Sequence, residues 1–208
     1  LPIDNNSYFY PSASLGFVLT EALGIQSNIL SYAKLRGSYA QVGGSANPYS
    51  LLGTYNASNP FDGNPSLSYT NTIAPSGLKP QSKNSLEFGA DLKFFNNRLS
   101  LDATYYKENT SNQILNIDVS RTTGFSTKTI NAGDIQNEGV ELVMNVVPIQ
   151  KRDFTWDLTL NWATNTNTVQ ELTGDMEYLY LYNGSWGMQV HARVGEEYGQ
   201  MWGYDIIR

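Results

Sequence analysis

The chain has 208 residues, 40% of them hydrophobic, with 18 Gly, 14 Tyr and no Cys. Charged residues make up only 15%, where soluble domains carry roughly 25%, and the net charge is −6 with no basic stripe. The missing Cys excludes disulfide frameworks, thiolate metal sites and a Cys nucleophile, and the charge pattern argues against a nucleic-acid partner.

Asn, Ser, Thr, Gln and Tyr supply the polarity instead. Tyr and Thr favour pleated surfaces, and Gly and Asn favour turns. No apolar run exceeds five residues, far short of the ~20 that a transmembrane helix needs. A barrel strand leaves a weaker mark, because its outward apolar residues alternate with inward polar ones.

The predicted elements begin with SASLGFVLTE, in which Leu15, Phe17 and Leu19 alternate. In YAKLRGSYAQV, Leu35, Gly37 and Tyr39 alternate against Lys34, Arg36 and Ser38. In LEFGADLKF, the residues Leu86, Phe88, Ala90, Leu92 and Phe94 share one face, and Glu87, Gly89, Asp91 and Lys93 the other. This is strict period two, the signature of a strand. A turn follows at 95–98, where Asn96 and Asn97 tolerate the left-handed backbone of a tight hairpin. The chain resumes with Leu99, Leu101, Ala103 and Tyr105 alternating against Ser100, Asp102, Thr104 and Tyr106.

A second hairpin repeats the plan. Val140, Leu142, Met144 and Val146 oppose Glu141, Val143 and Asn145, and Pro148 is expected to end the strand. Phe154, Trp156, Leu158, Leu160 and Trp162 then alternate with Thr155, Asp157, Thr159, Asn161 and Ala163. A seventh strand is placed near Met201. Short connections near 22–31, 95–98 and 148–153 alternate with long ones near 43–81, 110–137 and 172–200. Compact soluble domains rarely carry several long loops, whereas outer-membrane barrels pair short periplasmic turns with long external loops.

The expected fold is therefore all-β, an antiparallel transmembrane β-barrel seen in part. About six or seven strands belong to a larger barrel, since single-chain barrels of this type begin at about eight. Each strand is expected to run about nine to eleven residues, the length that spans a tilted bilayer crossing. Phe94, Phe154 and Trp156 by the short turns, and Tyr39, Tyr105 and Trp162 toward the long loops, suit interfacial girdles. Leu86, Phe88, Leu92, Leu99, Leu101, Val140, Leu142, Leu158 and Leu160 are expected to face lipid. Glu87, Asp91, Asp102, Glu141, Asp157 and Asn161 are expected to line the lumen. The competing reading is a soluble carbohydrate-binding β-sandwich.

Specific strings add a family. YAKLRGSYAQVGG resembles the LKLRxSYGxxGN segment of SusC/RagA-type TonB-dependent outer-membrane transporters. LKPQSKNSLEFGADLKFFNNRLSLDATYYKENTSNQIL resembles that family's strand, FFNNRL turn and tyrosine-ending strand. TTGFSTKTINAGDIQNEGVEL resembles its NAGxIxNxGVEL element, and FTWDLTLNWATNTNTV and VGEEYGQMWGYD resemble later segments. The resemblance covers nearly the whole chain in the family's order. It implies a barrel of about twenty-two strands with a plugged lumen. It also implies import of oligosaccharides or peptides across the outer membrane of a Gram-negative bacterium. The energy would come through TonB, and a SusD-type surface lipoprotein would act as a lid. Residues 1–208 would form part of one barrel domain, with the signal peptide, plug and remaining strands outside them.

No catalytic constellation is expected. His191 is the lone histidine and reads as a solvated loop residue, not a metal ligand or triad base. Asp91, Asp102 and Asp157 read as pore-lining charge in preference to glycosidase carboxylates. No phosphate loop or dinucleotide fingerprint points to a cofactor. The candidate substrate- or lid-binding residues are the loop aromatics Tyr49, Tyr55, Phe61 and Tyr69, with Tyr178, Tyr180, Tyr182 and Trp186, since aromatic anchors are what partner surfaces use.

Overall fold

In a computed structural model, the described residues are 7, 9–75, 77–174, 176–183 and 187–204. The strands in chain order are β1 (Ser12–Val18), β2 (Leu30–Gly44), β3 (Tyr55–Phe61), β4 (Asn64–Tyr69), β5 (Thr72–Ile73), β6 (Gln81–Phe94) and β7 (Leu99–Ser111). After these come β8 (Ile114–Asp118), β9 (Thr127–Asn131), β10 (Asp134–Gln150), β11 (Thr155–Glu171), β12 (Tyr178–Asn183), β13 (Gln189–Arg193) and β14 (Gln200–Trp202). A single helical turn, α1 (Leu19–Ala22), sits between β1 and β2.

Six strands form one antiparallel sheet in the order β1-β2-β6-β7-β10-β11. Its register can be followed straight across. One row reads Phe17, Leu35, Ala90, Ala103, Leu142 and Trp162. The adjacent row reads Gly16, Arg36, Gly89, Thr104, Glu141 and Ala163. Successive residues of a strand point to opposite faces, so the sheet has one apolar and one polar face. The apolar face stays open, with Phe88 54% and Trp162 58% exposed. A soluble sandwich would need a second sheet packed there, and Leu86, Leu158 and Leu160 are uncovered as well.

Strand length departs from expectation. β6 and β7 have 14 and 13 residues, and β10 and β11 have 17 each. The apolar alternation measures only part of each ladder. Toward the long loops the apolar side chains give way to Asn84, Lys107, Glu138 and Thr166 on the same face, and Lys107 pairs with Glu138 at 3.8 Å. From Phe94 to Leu86 the apolar band runs ~26 Å along the strand, or roughly 20 Å in height at a tilt of about 40°.

Pro148 does not end its strand. β10 runs on to Gln150 with a register shift between Val146 and Ile149. A bulge is where a sheet accepts a residue with no N–H. Arg98 secures it by donating from Nη2 to the Pro148 carbonyl at 2.9 Å. The strand placed near Met201 is β14, which pairs with β13 and lies outside the main sheet. The turn at 95–98 is left-handed at Asn96 and Asn97 as expected, and also at Phe95 (φ 53°). Phe95 N–H reaches the Ile29 carbonyl at 2.8 Å, and Asn96 N–H reaches Ser31 Oγ at 2.8 Å. The neighbouring connection thus holds this turn in place.

The long connections carry structure of their own. β3 and β4 form a hairpin, β5-β9-β8 a second small sheet, and β12-β13-β14 a third. The main cluster of buried residues lies at this end, where the last residues of β11 meet the long connections. Val169, Leu172, Leu179, Ala132 and Ala192 form it, with Leu115, Ile117 and Ile130 packed against them. Connections 112–133 and 172–199 therefore share one apolar centre at the long-loop end.

Candidate functional site

The polar face holds a charged cluster. Asp91 and Asp102 are direct cross-strand partners on β6 and β7. Like charges placed opposite each other repel, and Arg36 on β2 resolves the conflict. Its Nη2 donates to Asp102 Oδ1 at 2.8 Å and to Thr104 Oγ1 at 2.6 Å, and Nη1 donates to Asp102 Oδ2 at 3.2 Å and also to Asp91. The bidentate fork suits a planar guanidinium, where Lys would offer only a point charge. To reach β7 the side chain must lie across β6, and it does so over Gly89, where a Cβ would come within 2.5 Å of Arg36 Nε. Lys83 pairs with Glu108 at 2.8 Å on the same face.

Of the six residues expected on the polar face, Asp91 and Asp102 are brought together. Glu87 stands opposite Ser38 and Tyr106, and Glu141 opposite Thr104 and Ala163. Asn161 faces Val143, while Asp157 lies on the edge strand β11 next to the bulge. The nine residues expected on the other face follow the opposite parity in the same registers. Arg36 and Thr104 were missed as members of the cluster. Parity alone puts Arg36 on the polar face, and only register shows what it grips.

The loop aromatics fall into two groups. Tyr55 and Tyr69 close the base of the β3–β4 hairpin as register partners, edge to face at 5.0 Å, and Tyr69 meets Phe125 at 6.2 Å. Phe61 stands at the hairpin tip, and Tyr49 sits in the preceding turn with φ 64° and 76% of its surface exposed. In the second group, Tyr178, His191 and Trp202 stack in sequence, each step 5.7 Å between centroids. Tyr180 meets His191 edge-on at 4.7 Å, and Arg193 lies 5.9 Å from the Trp202 ring. The hydrogen bond with Tyr178 raises the Tyr180 phenol above the ordinary tyrosine value. Tyr182 is exposed, and Trp186 lies outside the described residues. Among the described residues, no ring contact joins the two groups.

His191 is not a solvated loop residue. It occupies β13, half-buried between two rings, with Nε2 3.1 Å from Gln189 Oε1. The alternation of Gln189, His191 and Arg193 against Val190 and Ala192 carried that signal in the sequence. Trp202, Arg193 and Phe125 were missed because their partners lie on other short strands. Among the described residues no His, Asp or Glu group is arranged to hold a metal ion.

Comparison with known proteins adds the following. Residues 2–205 match the model of the family described as "TonB dependent receptor-like, beta-barrel". The chain is 28% identical to "TonB-dependent receptor P3" of Formosa agariphila, over 97% of this chain and 21% of that protein. It is 30% identical to "TonB-dependent receptor SusC" of Bacteroides thetaiotaomicron, over 84% of this chain and 18% of that protein. Among solved structures it resembles the RagAB peptide transporter, with a TM-score of 0.80 and 23% identity over 93% of this chain and 21% of that one. The chain thus spans about a fifth of the length of these relatives.

Proposed function

We infer function from one premise: this chain belongs to the TonB-dependent receptor-like β-barrel family. Its sheet is a segment of that family's antiparallel transmembrane β-barrel. The parent protein imports oligosaccharides or peptides across the outer membrane of a Gram-negative bacterium, as a SusC-like transporter. The TonB complex drives it, and a SusD-like surface lipoprotein covers it. Residues 1–208 form part of one barrel domain, whose plug and other strands are supplied elsewhere. Glu87, Asp91, Asp102, Glu141, Asp157 and Asn161 line the lumen, and the chain contributes no catalytic group.

One observation carries this reading. The same sheet face is apolar over a band roughly 20 Å tall and turns polar above it, at Lys107, Glu138 and Thr166, while the opposite face is charged within the band. Such a face needs lipid on one side and water on the other. Deleting the full-length gene tests the reading. Uptake of labelled oligosaccharides or peptides should fall to background and return with complementation, and uptake that persists after deletion overturns it. In the same strain, replacing Tyr180, Tyr182 and Trp186 with Ala should weaken uptake or lid binding severalfold while the barrel still inserts. Unchanged uptake and lid binding would remove the role of that loop.

A further inference from the structure

We propose that the cleft between residues 46–54 and strands β5, β8 and β9 is a binding subsite for a neutral oligosaccharide. The proposal rests on the import reading and names the substrate class that this surface takes. The cleft has a volume of about 420 Å³ and is lined by Asn47, Ser50, Thr70, Thr72, Asn116 and Thr129 among others, with no Asp, Glu, Lys or Arg in its wall. Hydroxyl and amide groups both donate and accept, as sugar hydroxyls do. A uronate or a peptide terminus would enter without a counter-charge, and burying an unpaired charge is costly. Leu52 and Ile114 supply apolar patches for the C–H faces of a pyranose ring.

The cleft is built and not merely left open. Thr70 N–H donates to the Thr54 carbonyl at 3.1 Å, and the Tyr69 hydroxyl lies against Gly53. Ser126 and Thr127 N–H both reach the Asn71 carbonyl, at 2.9 and 3.2 Å, and the Thr72 and Thr127 hydroxyls are 2.8 Å apart. The two walls are thereby tied at residues 70–72. The β8–β9 ladder is two-sided. Leu115, Ile117 and Ile130 pack on the apolar core, while Asn116 and Thr129, bonded at 2.6 Å, sit on the cleft side. Asn116 uses its carbonyl oxygen in that bond and has its amide nitrogen to offer a ligand.

At the rim, Tyr49 is held at φ 64°, a conformation costly for a side chain of its size and a pointer to function. The Leu52 N–H fixes the turn by donating to the Tyr49 carbonyl at 3.0 Å. The exposed ring leaves a face for a sugar. In the other aromatic group, Tyr178, His191 and Trp202 turn their faces to one another, which leaves both faces of His191 occupied.

The test uses the full-length receptor in detergent, titrated calorimetrically with short neutral hexose oligosaccharides, uronate oligosaccharides and peptides of similar mass. Neutral oligosaccharides should bind. Tyr49→Ala and Asn116→Ala should each raise Kd about tenfold, Tyr49→Phe should bind like the parent, and Thr129→Asp should abolish binding. Tyr49 is exposed, so its variants keep the fold and their results remain interpretable. Neutral-sugar binding unchanged in both alanine variants overturns the subsite. Binding and uptake of peptides alone overturns it and leaves import intact. Neutral-sugar binding that depends on this cleft, in cells whose uptake does not need the receptor, supports the subsite and overturns import.

Discussion

Arg36 ties three strands of the main sheet together, since it spans β2, β6 and β7. Its removal leaves Asp91 and Asp102 face to face without a counter-charge. Arg36 is partly solvated, so the loss should be below that of a fully buried pair, about 1–2 kcal/mol. Unfolding of the full-length receptor in micelles against urea would measure it. Changing Asp102 to Asn in the Arg36→Ala background should recover part of the loss, because it removes the repulsion. Additive losses would show that the carboxylates do not feel each other. Gly89→Ala should weaken the receptor by the same route, since the new methyl displaces the guanidinium. Parity in the sequence assigns all of these residues to one face. It does not pair them, because the β2–β6 register is fixed across a connection of unequal, structured pieces. Arg36 and Asp102 lie 66 residues apart.

At the scale of the element, alternation located all six strands of the main sheet and the parity of each. It missed their length, because it reports where the environment is apolar and not where the backbone ladder stops. Beyond Leu86 and Tyr105 both faces are polar, and the pattern that marks a strand disappears. The same reason hid β3, β4, β8 and β9. These strands are short, with β3, β4 and β9 holding many Asn, Ser and Thr and β8 only five residues long, and the β3–β4 pairing is established by the turn at Asp62-Gly63, both left-handed. The contrast between band and overhang is testable on one strand. Leu160→Arg sits at mid-band and should cost roughly 2–4 kcal/mol, while Thr166→Arg, on the same face beside Glu138, should cost about 0–1 kcal/mol. Equal costs at the two positions, read from folding into lipid vesicles, would remove the bilayer from the explanation.

For the whole molecule, the sheet has unlike ends. Residues 19–29, 95–98 and 151–154 join strands briefly at one end, and the structured connections stand at the other. With no Cys in the chain, single cysteines can report on sidedness in the full-length receptor. Ser68→Cys in β4 should react with an impermeant maleimide on intact cells, and Asn97→Cys only after the outer membrane is opened. The reverse pattern would invert the assignment of ends. The unlike ends of the sheet were legible in the sequence from loop length. The cleft and the shared core were not, because each is assembled from segments that meet only once the main sheet has set their spacing.

The unequal connections also order the steps by which such a sheet can form. Closing a loop costs entropy that grows with its length, and residues 45–80 cost ~2 kcal/mol more to close than the four-residue turn at 95–98. Pairs β6–β7 and β10–β11 therefore zip first as local hairpins, and β2 and β6 meet later. Loop length therefore favours assembly by hairpin units over assembly by single strands. The lobe shared by 112–133 and 172–199 at the long-loop end is expected to condense after the hairpins that carry it have docked side by side.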